Sequence, residues 1–428
     1  MITLIWAFME RMAPRAGTAL LMLAFAATSD PTTVGYYAAA MTGYTVLQAV
    51  TDGAAKRIAT SAVATGDGIE FLRKYRIWYG YGGTLFMLIV LVVVWLWGAP
   101  IADVATLTPL LVLPAIMGQT VVPLARLQRA GMWKQVSLLS GSAAAFSLLV
   151  GFPLVLTLHN ALGSVIQLVL TEAIFAVGVH RIAHSVLGVN AVEKASGANY
   201  FSQFRSAGTF IVSMQGQYML DRLAVGFFGG PAALGAFNLG WSLSRSITDS
   251  LSTSTLSVIQ SRTIDARQKS PAEIRAVIMG AMPHALAMSA ASVGVVWVAA
   301  RFIAPLILGE EWNTMLAVVP LMSATALPSL CCYCLIPALL YYERMRWATA
   351  PRLAGLALSI GVGWAVQYSL AAAVWIALFR ELLSMSVMML GLREVVNLRM
   401  VMLPLVSTTI VCGLVLGADA ILGAVASN

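Results

Sequence analysis

The chain has 428 residues, 59% of them hydrophobic and only 10% charged, with a mean hydropathy of +0.84. Such a composition excludes a soluble globular domain and implies a polytopic membrane protein. A net charge of +8 would point to nucleic acid in a soluble chain; here most of it sits between apolar runs, where it orients the chain and meets anionic lipid, so no nucleic-acid partner is expected.

In chain order, thirteen apolar runs are each long enough to cross a bilayer as a helix of about 20 residues. They are Ile5–Thr28, Thr33–Thr51, Trp78–Trp97, Leu107–Leu127, Gln135–Leu158, Ala161–Ile182 and Ser206–Phe228, then Ala232–Ser257, Ala276–Leu308, Met315–Tyr341, Arg352–Gln367, Ala371–Met389 and Val401–Val425. Glu10, Arg11 and Arg15 interrupt the first run, so it is expected to stay as a helix and not to be a cleaved leader. Connectors carrying Lys56, Arg73, Arg126, Lys134, Arg181, Lys194, Arg262, Arg275, Arg344, Arg352 and Arg393 are basic. The alternate turns near Asp30, Asp103, His159, Pro231, Glu310 and Tyr368 have no Lys or Arg. By the positive-inside rule the N-terminus is cytoplasmic.

An ionised side chain at the bilayer centre costs about 2.5–3.5 kcal/mol, so it should face protein or a watery cavity. The first run has Arg11 and Arg15 on one face, with Arg15, just past Pro14, the better candidate for an anion contact. The second run offers Tyr37, Tyr44, Gln48 and Asp52, rings and amides suited to sugar faces, although Tyr37 equally fits an interfacial belt. Glu172 in the sixth run is a candidate for ion coupling or for a structural pair. His180 and His184 have a metal-like spacing but lie beside Arg181 at a solvated end.

In the seventh run Gln217 and Asp221 share a face, and Arg222 points elsewhere. The eighth run is the most informative: Asn238, Ser242, Arg245, Asp249 and Ser252 recur every three or four residues, a polar stripe along one face. Arg245 and Asp249 are expected to pair at i, i+4; the stripe reads as a cavity wall or as a structural pair. Arg301 in the ninth run has no partner legible in sequence, and the twelfth carries the Arg380–Glu381 step. Cys331, Cys332, Cys334 and Cys412 lie in apolar segments and read as small core residues, with no metal site expected.

Two internal matches indicate a duplication. Pro31, Gly35 and Tyr37 correspond to Pro231, Gly235 and Phe237, and Pro123, Trp133 and Gly141 to Pro337, Trp347 and Gly355. They align runs one to six with seven to twelve. The expected fold is therefore all-α and polytopic, with two parallel six-helix repeats as an N-lobe (1–190) and a C-lobe (200–395) around a central cavity, plus an extra C-terminal helix (400–428). Short connectors leave no room for a soluble catalytic domain, and no Gly-rich nucleotide loop appears.

The segments Pro123-Leu-Ala-Arg-Leu-Gln-Arg129, Gln217-Tyr-Met-Leu-Asp-Arg-Leu-Ala-Val-Gly-Phe-Phe-Gly229, Ala233-Leu-Gly-Ala-Phe-Asn238 and Leu308-Gly-Glu-Glu-Trp312 resemble the polysaccharide transporter branch, with its Wzx-type oligosaccharide flippases, of the multidrug/oligosaccharidyl-lipid/polysaccharide (MOP) exporter superfamily. The resemblance implies alternating access of two lobes and a polyprenyl-diphosphate-linked oligosaccharide as substrate. It further implies residence in a bacterial cytoplasmic membrane, with membrane lipids and a polysaccharide polymerase or glycosyltransferases as partners. Arg15, Arg222 and Arg245 would attract the diphosphate, since a guanidinium fork donates two bonds at once. Gln217, Asn238, Ser242, Tyr37, Tyr44 and Gln48 would pass the sugar. No cofactor is expected; the drive would be the membrane potential, about 2.3 kcal/mol per charge per 100 mV, or H+ or Na+ through Asp221, Asp249 or Glu172. The alternatives are a drug or small-cation exporter of the same superfamily and a membrane glycosyltransferase or polymerase.

Overall fold

The computed structural model describes residues 2–56, 59, 62–63, 66–187, 199–264 and 270–426. Among them the fold is all-helical, as hydrocarbon demands of a chain that must satisfy its own backbone. The helices are α1 (Ile2–Thr28), α2 (Pro31–Ala49), α3 (Gly66–Leu96), α4 (Ile101–Leu107), α5 (Leu113–Arg129), α6 (Trp133–Leu158), α7 (Leu162–Leu187) and α8 (Tyr200–Ile264). Then come α9 (Pro271–Val298), α10 (Asn313–Ala324), α11 (Ala326–Tyr341), α12 (Arg346–Ala365), α13 (Leu370–Gly391) and α14 (Leu398–Ala426). Nine helical stretches among the described residues are long and apolar enough to cross a membrane. The expected thirteen runs map onto these elements in order, with the tenth supplied by α10 and α11 together.

The 65-residue α8 is two helical arms meeting at Gly230, whose φ of 79° with ψ of −179° is a conformation open to glycine and costly for other residues. Pro231 then starts the second arm, where its missing N–H costs nothing. This is the break expected between the seventh and eighth runs. At the corresponding place in the first repeat, Pro31 opens α2 behind the N-cap Asp30, whose carboxylate accepts from the Thr32 and Thr33 amides at 2.7 and 3.1 Å. The second sequence match also keeps its structural place: Pro123 lies inside α5 and Pro337 inside α11.

By compactness the chain divides into one unit spanning Met1–Leu223 and another spanning Ala224–Asn428, which includes α14. In the first unit α6 packs on α1 and α7, while α5 packs on α3 and α7. The α6–α7 approach is close: a methyl at Gly163 would sit 2.6 Å from the Val155 amide nitrogen and 2.7 Å from the Gly151 carbonyl oxygen. Helices gain little from apolar burial against lipid-like neighbours, so small residues that let backbones meet supply the packing instead. Tyr79 donates to the Leu47 carbonyl at 2.8 Å, fixing α3 to the end of α2 where the latter passes into a π turn, Val50–Ala55.

In the second unit α13 packs on α10, α11 and α12, and α9, α10 and α11 all contact α14. The α10–α11 stretch is its kernel, 94% buried over its most apolar window. Cys331, Cys332 and Cys334 sit there as fully buried free thiols, with Cys332 in hydrogen-bonding reach of the Arg352 guanidinium. At one end of this unit, Arg275 donates to the Val395 and Glu394 carbonyls, and Arg344 to the Gly391 carbonyl at 3.1 Å and the Glu394 carboxylate at 3.0 Å. Arg344 thus caps the C-terminal end of α13, where carbonyls lack helical partners, and Arg275 holds the turn that follows it.

Candidate functional site

The second arm of α8 carries the polar stripe. Asn238, Arg245 and Ser252 are buried, while Ser242 and Asp249 are half-buried. The Arg245 guanidinium is held on four sides. Its Nε donates to Asp249 Oδ1 at 3.0 Å, its terminal nitrogens donate to Thr325 Oγ1 at 3.2 Å and Ser329 Oγ at 3.3 Å, and its plane lies 5.0 Å from the Trp241 ring centre. Trp241 stacks in turn on Phe237. The i, i+4 pairing of Arg245 with Asp249 is thus as the spacing requires, but exposure is lopsided: 3% for the Arg245 side chain and 39% for Asp249. The cation is fixed in protein, and its carboxylate partner is the more exposed of the two.

A second charged group lies in the same unit. Arg352 of α12 donates to both carboxylate oxygens of Glu381 of α13 at 3.0 Å, with both side chains 1% exposed. Arg380 donates to Ser359 Oγ at 2.8 Å and reaches within 3.9 Å of Glu381. Glu381 feels the charges of Arg352, Arg380 and Arg245. Arg352 therefore does not belong with the connector cations, where the sequence put it; it is a buried ion-pair residue, delivered by a helix that begins six residues earlier. Together Arg245, Arg352 and Arg380 set three guanidiniums against the two carboxylates of Asp249 and Glu381. Burying such charges is costly unless each is paired and hydrogen-bonded, and here the hydroxyls of Thr325, Ser329 and Ser359 supply the additional bonds.

The other expected site residues lie in the first unit. Gln217 and Asp221 share one face of the first arm of α8 and are fully buried; Arg222 is half-buried. Tyr37 is 3% exposed and makes an edge contact with Phe25 of α1 at 5.4 Å, so its ring serves packing and presents no open face to a sugar. Tyr44 is buried and Gln48 half-buried on the same helix, and Glu172 is half-buried on α7. The side chains of Arg15 and Asp52 lie outside the described residues.

The sequence reading missed a buried polar knot in this unit. Gln167 Nε2 donates to Thr171 Oγ1 at 3.1 Å, and Thr171 Oγ1 lies 2.5 Å from Ser147 Oγ, joining α7 to α6. Only the i, i+4 spacing of Gln167 and Thr171 hinted at it, a signal too common to single out.

The model of the family described as "Polysaccharide biosynthesis protein" matches residues 30–317, more than half of the chain. Among solved structures, a multidrug resistance MATE family transporter of the MOP superfamily in an inward-facing conformation aligns with a TM-score of 0.64 at 12% identity, over 95% of this chain and 98% of that one. The lipid II flippase MurJ, in an inward closed conformation, aligns with a TM-score of 0.64 at 12% identity over 98% and 99%. A MOP superfamily transporter from Pyrococcus furiosus, described as having a binding pocket of reverse polarity, aligns with a TM-score of 0.54 at 14% identity over 96% of each chain. At these identities the likeness establishes the fold. No curated protein sequence matches this chain.

Proposed function

We infer the function from one premise: the chain belongs to the family of polysaccharide biosynthesis proteins. On this reading it is a transporter and no enzyme, a flippase that carries a polyprenyl-diphosphate-linked oligosaccharide from the inner to the outer leaflet of the cytoplasmic membrane.

The observation that supports this substrate is the surplus of guanidinium over carboxylate in the two charged groups of the second unit, three to two. A site for organic cations needs the opposite balance. Asp249 supplies the moving part of the mechanism. It is the exposed member of a pair whose cation is locked by Trp241, Thr325 and Ser329. A diphosphate approaching Arg245 competes with Asp249 for the same N–H groups and, carrying more charge, displaces it. After the anion leaves on the outer side, the released carboxylate carries H+ or Na+ inward on the return step, and re-formation of the Arg245–Asp249 pair expels the cation on the inner side, an antiport. The membrane potential adds to the drive, because a negative cargo moves toward the positive side.

The test is reconstitution of the purified chain in liposomes with a defined polyprenyl-diphosphate oligosaccharide, reading transbilayer movement with and without a potential. Arg245→Ala should abolish movement while leaving insertion intact. Movement at the normal rate rejects the role of Arg245; efflux of cationic dyes would turn the reading to a small-molecule exporter, and elongation of the sugar chain would turn it to an enzyme.

A further inference from the structure

A cavity of about 250 Å³ lies in the second unit, at the end of α9 remote from the Arg275–Arg344 cap, lined by Trp297, Arg301, Asn313, Leu316, Pro320 and Asp419 among others. Three elements build it. The π turn Ala299–Ile303 continues α9 and carries Arg301; π turns insert one extra residue into a helix and concentrate at functional positions. The start of α10 contributes Asn313, and α14 contributes Asp419. Asp419 is oriented by Trp297, whose indole Nε1 donates to Oδ1 at 3.1 Å.

The cavity thus presents a carboxylate and a guanidinium that form no ion pair with each other among the described residues, with an amide between them in sequence and an apolar floor. Opposite charges held apart in one small space suit a ligand that carries both signs. The volume is below the roughly 300–1,000 Å³ of drug-sized pockets, so the ligand is the size of a headgroup. Its neighbours identify where such a group would come from. Phe302, Ile303 and Leu306, directly after Arg301, are 52%, 53% and 84% exposed. In a chain that crosses a bilayer this apolar skirt faces acyl chains, and the charged cavity sits at its edge.

We propose that this cavity binds an aminoalkyl phosphate, the headgroup of an aminophospholipid, with the phosphate on Arg301 and the primary ammonium on Asp419 and Asn313. Arg301 suits the phosphate for its paired donors, and a carboxylate already fixed by an indole N–H needs no reordering to accept the ammonium. The lipid would join α9, α10 and α14 from outside, at a place separate from the Arg245 group.

Native mass spectrometry of the full-length protein, titrated separately with dioleoylphosphatidylethanolamine, dioleoylphosphatidylglycerol and free phosphoethanolamine, tests this. The wild type should retain the ethanolamine lipid about tenfold or more over the glycerol lipid, the worth of one charge-assisted hydrogen bond. Asp419→Asn should bring that ratio near one, Arg301→Gln should weaken both lipids, and Arg301→Lys should recover most of the retention. Arg301 and Asn313 are exposed, so Arg301→Gln and Asn313→Ala report on binding even if Asp419→Asn proves unstable. Retention of the lipid alone assigns the site to a lipid headgroup; equal retention of free phosphoethanolamine assigns it to a soluble aminophosphate. Equal retention of the two lipids by the wild type, or wild-type retention in the Arg301→Gln and Asn313→Ala variants, would overturn the proposal.

Discussion

Glu381→Gln removes the single carboxylate that accepts both Arg352 bonds and lies within 3.9 Å of Arg380. The amide can still accept from Arg352, but it cannot offset charge, and both guanidiniums stay at 1% exposure. Removing one partner of a buried pair costs about 3–5 kcal/mol, because the remaining charge is left uncompensated. Two cations depend on Glu381, which puts the cost at the upper end of that range. At about 2–4 °C per kcal/mol for a unit of this size, the unfolding midpoint in detergent should fall by roughly 10–20 °C. The triple variant Arg352→Met/Arg380→Met/Glu381→Leu removes the carboxylate together with both cations that face it and should recover much of the loss, since well-packed apolar replacements of buried ion pairs are often neutral. Size-exclusion thermostability of the wild type, Glu381→Gln and the triple variant makes the comparison. A Glu381→Gln protein as stable as the wild type, or a triple variant no more stable than Glu381→Gln, would refute the view that compensation of charge holds α12 to α13.

Asp249→Asn should leave Arg245 accessible to anions while removing the cation carrier, so flipping in liposomes becomes insensitive to an imposed H+ or Na+ gradient yet still responds to potential; persistence of the ion dependence would exclude Asp249 from coupling. Gly163→Ala places a methyl against backbone atoms of α6 and should cost about 1–3 kcal/mol, seen as a lowered midpoint, and an unchanged midpoint would mean that the two helices part freely. For Asp30, partial burial favours the neutral acid, but the Thr33 and Thr32 hydrogen bonds prevail and hold its carboxyl below its usual value. Its contribution is therefore present above that usual value, near 3.8, and lost as pH falls through the lowered one. Asp30→Ala should cost about 0.5–1 kcal/mol at neutral pH, whereas Asp30→Asn should keep the cap and abolish its acid sensitivity; thermal melts between pH 3 and 7 distinguish the two.

What could be read from sequence was what is local along the helix. The apolar runs, the break before Pro231 and the Arg245–Asp249 pair all follow from spacing within a few residues. Arg352 and Glu381 lie 29 positions apart, and no periodicity connects them. Arg352 follows Arg344 and Arg346 closely enough to pass for a third connector charge. The Thr325 and Ser329 hydroxyls that hold Arg245 sit in a run whose apolar composition hides them, and Gln167, Thr171 and Ser147 are residue types too frequent in helices to stand out. In sequence Tyr37 is open to a sugar contact or an interfacial place, because an amphipathic ring suits both, and its packing against Phe25 is a relation between helices that spacing does not show.

Arg275 and Arg344 count among the cations that bias which way such a chain threads the bilayer; Arg344 also grips the tail of α13, and Arg275 the turn that follows it. Insertion and tertiary assembly thus draw on the same side chains. Recoding these positions to invert the threading would strip a helix end of its donors, and the inverted protein would fail as a folding mutant before it could be judged as a topological one. A change of orientation would first need substitutes for those two grips, so threading and folding are tied together through the same two side chains.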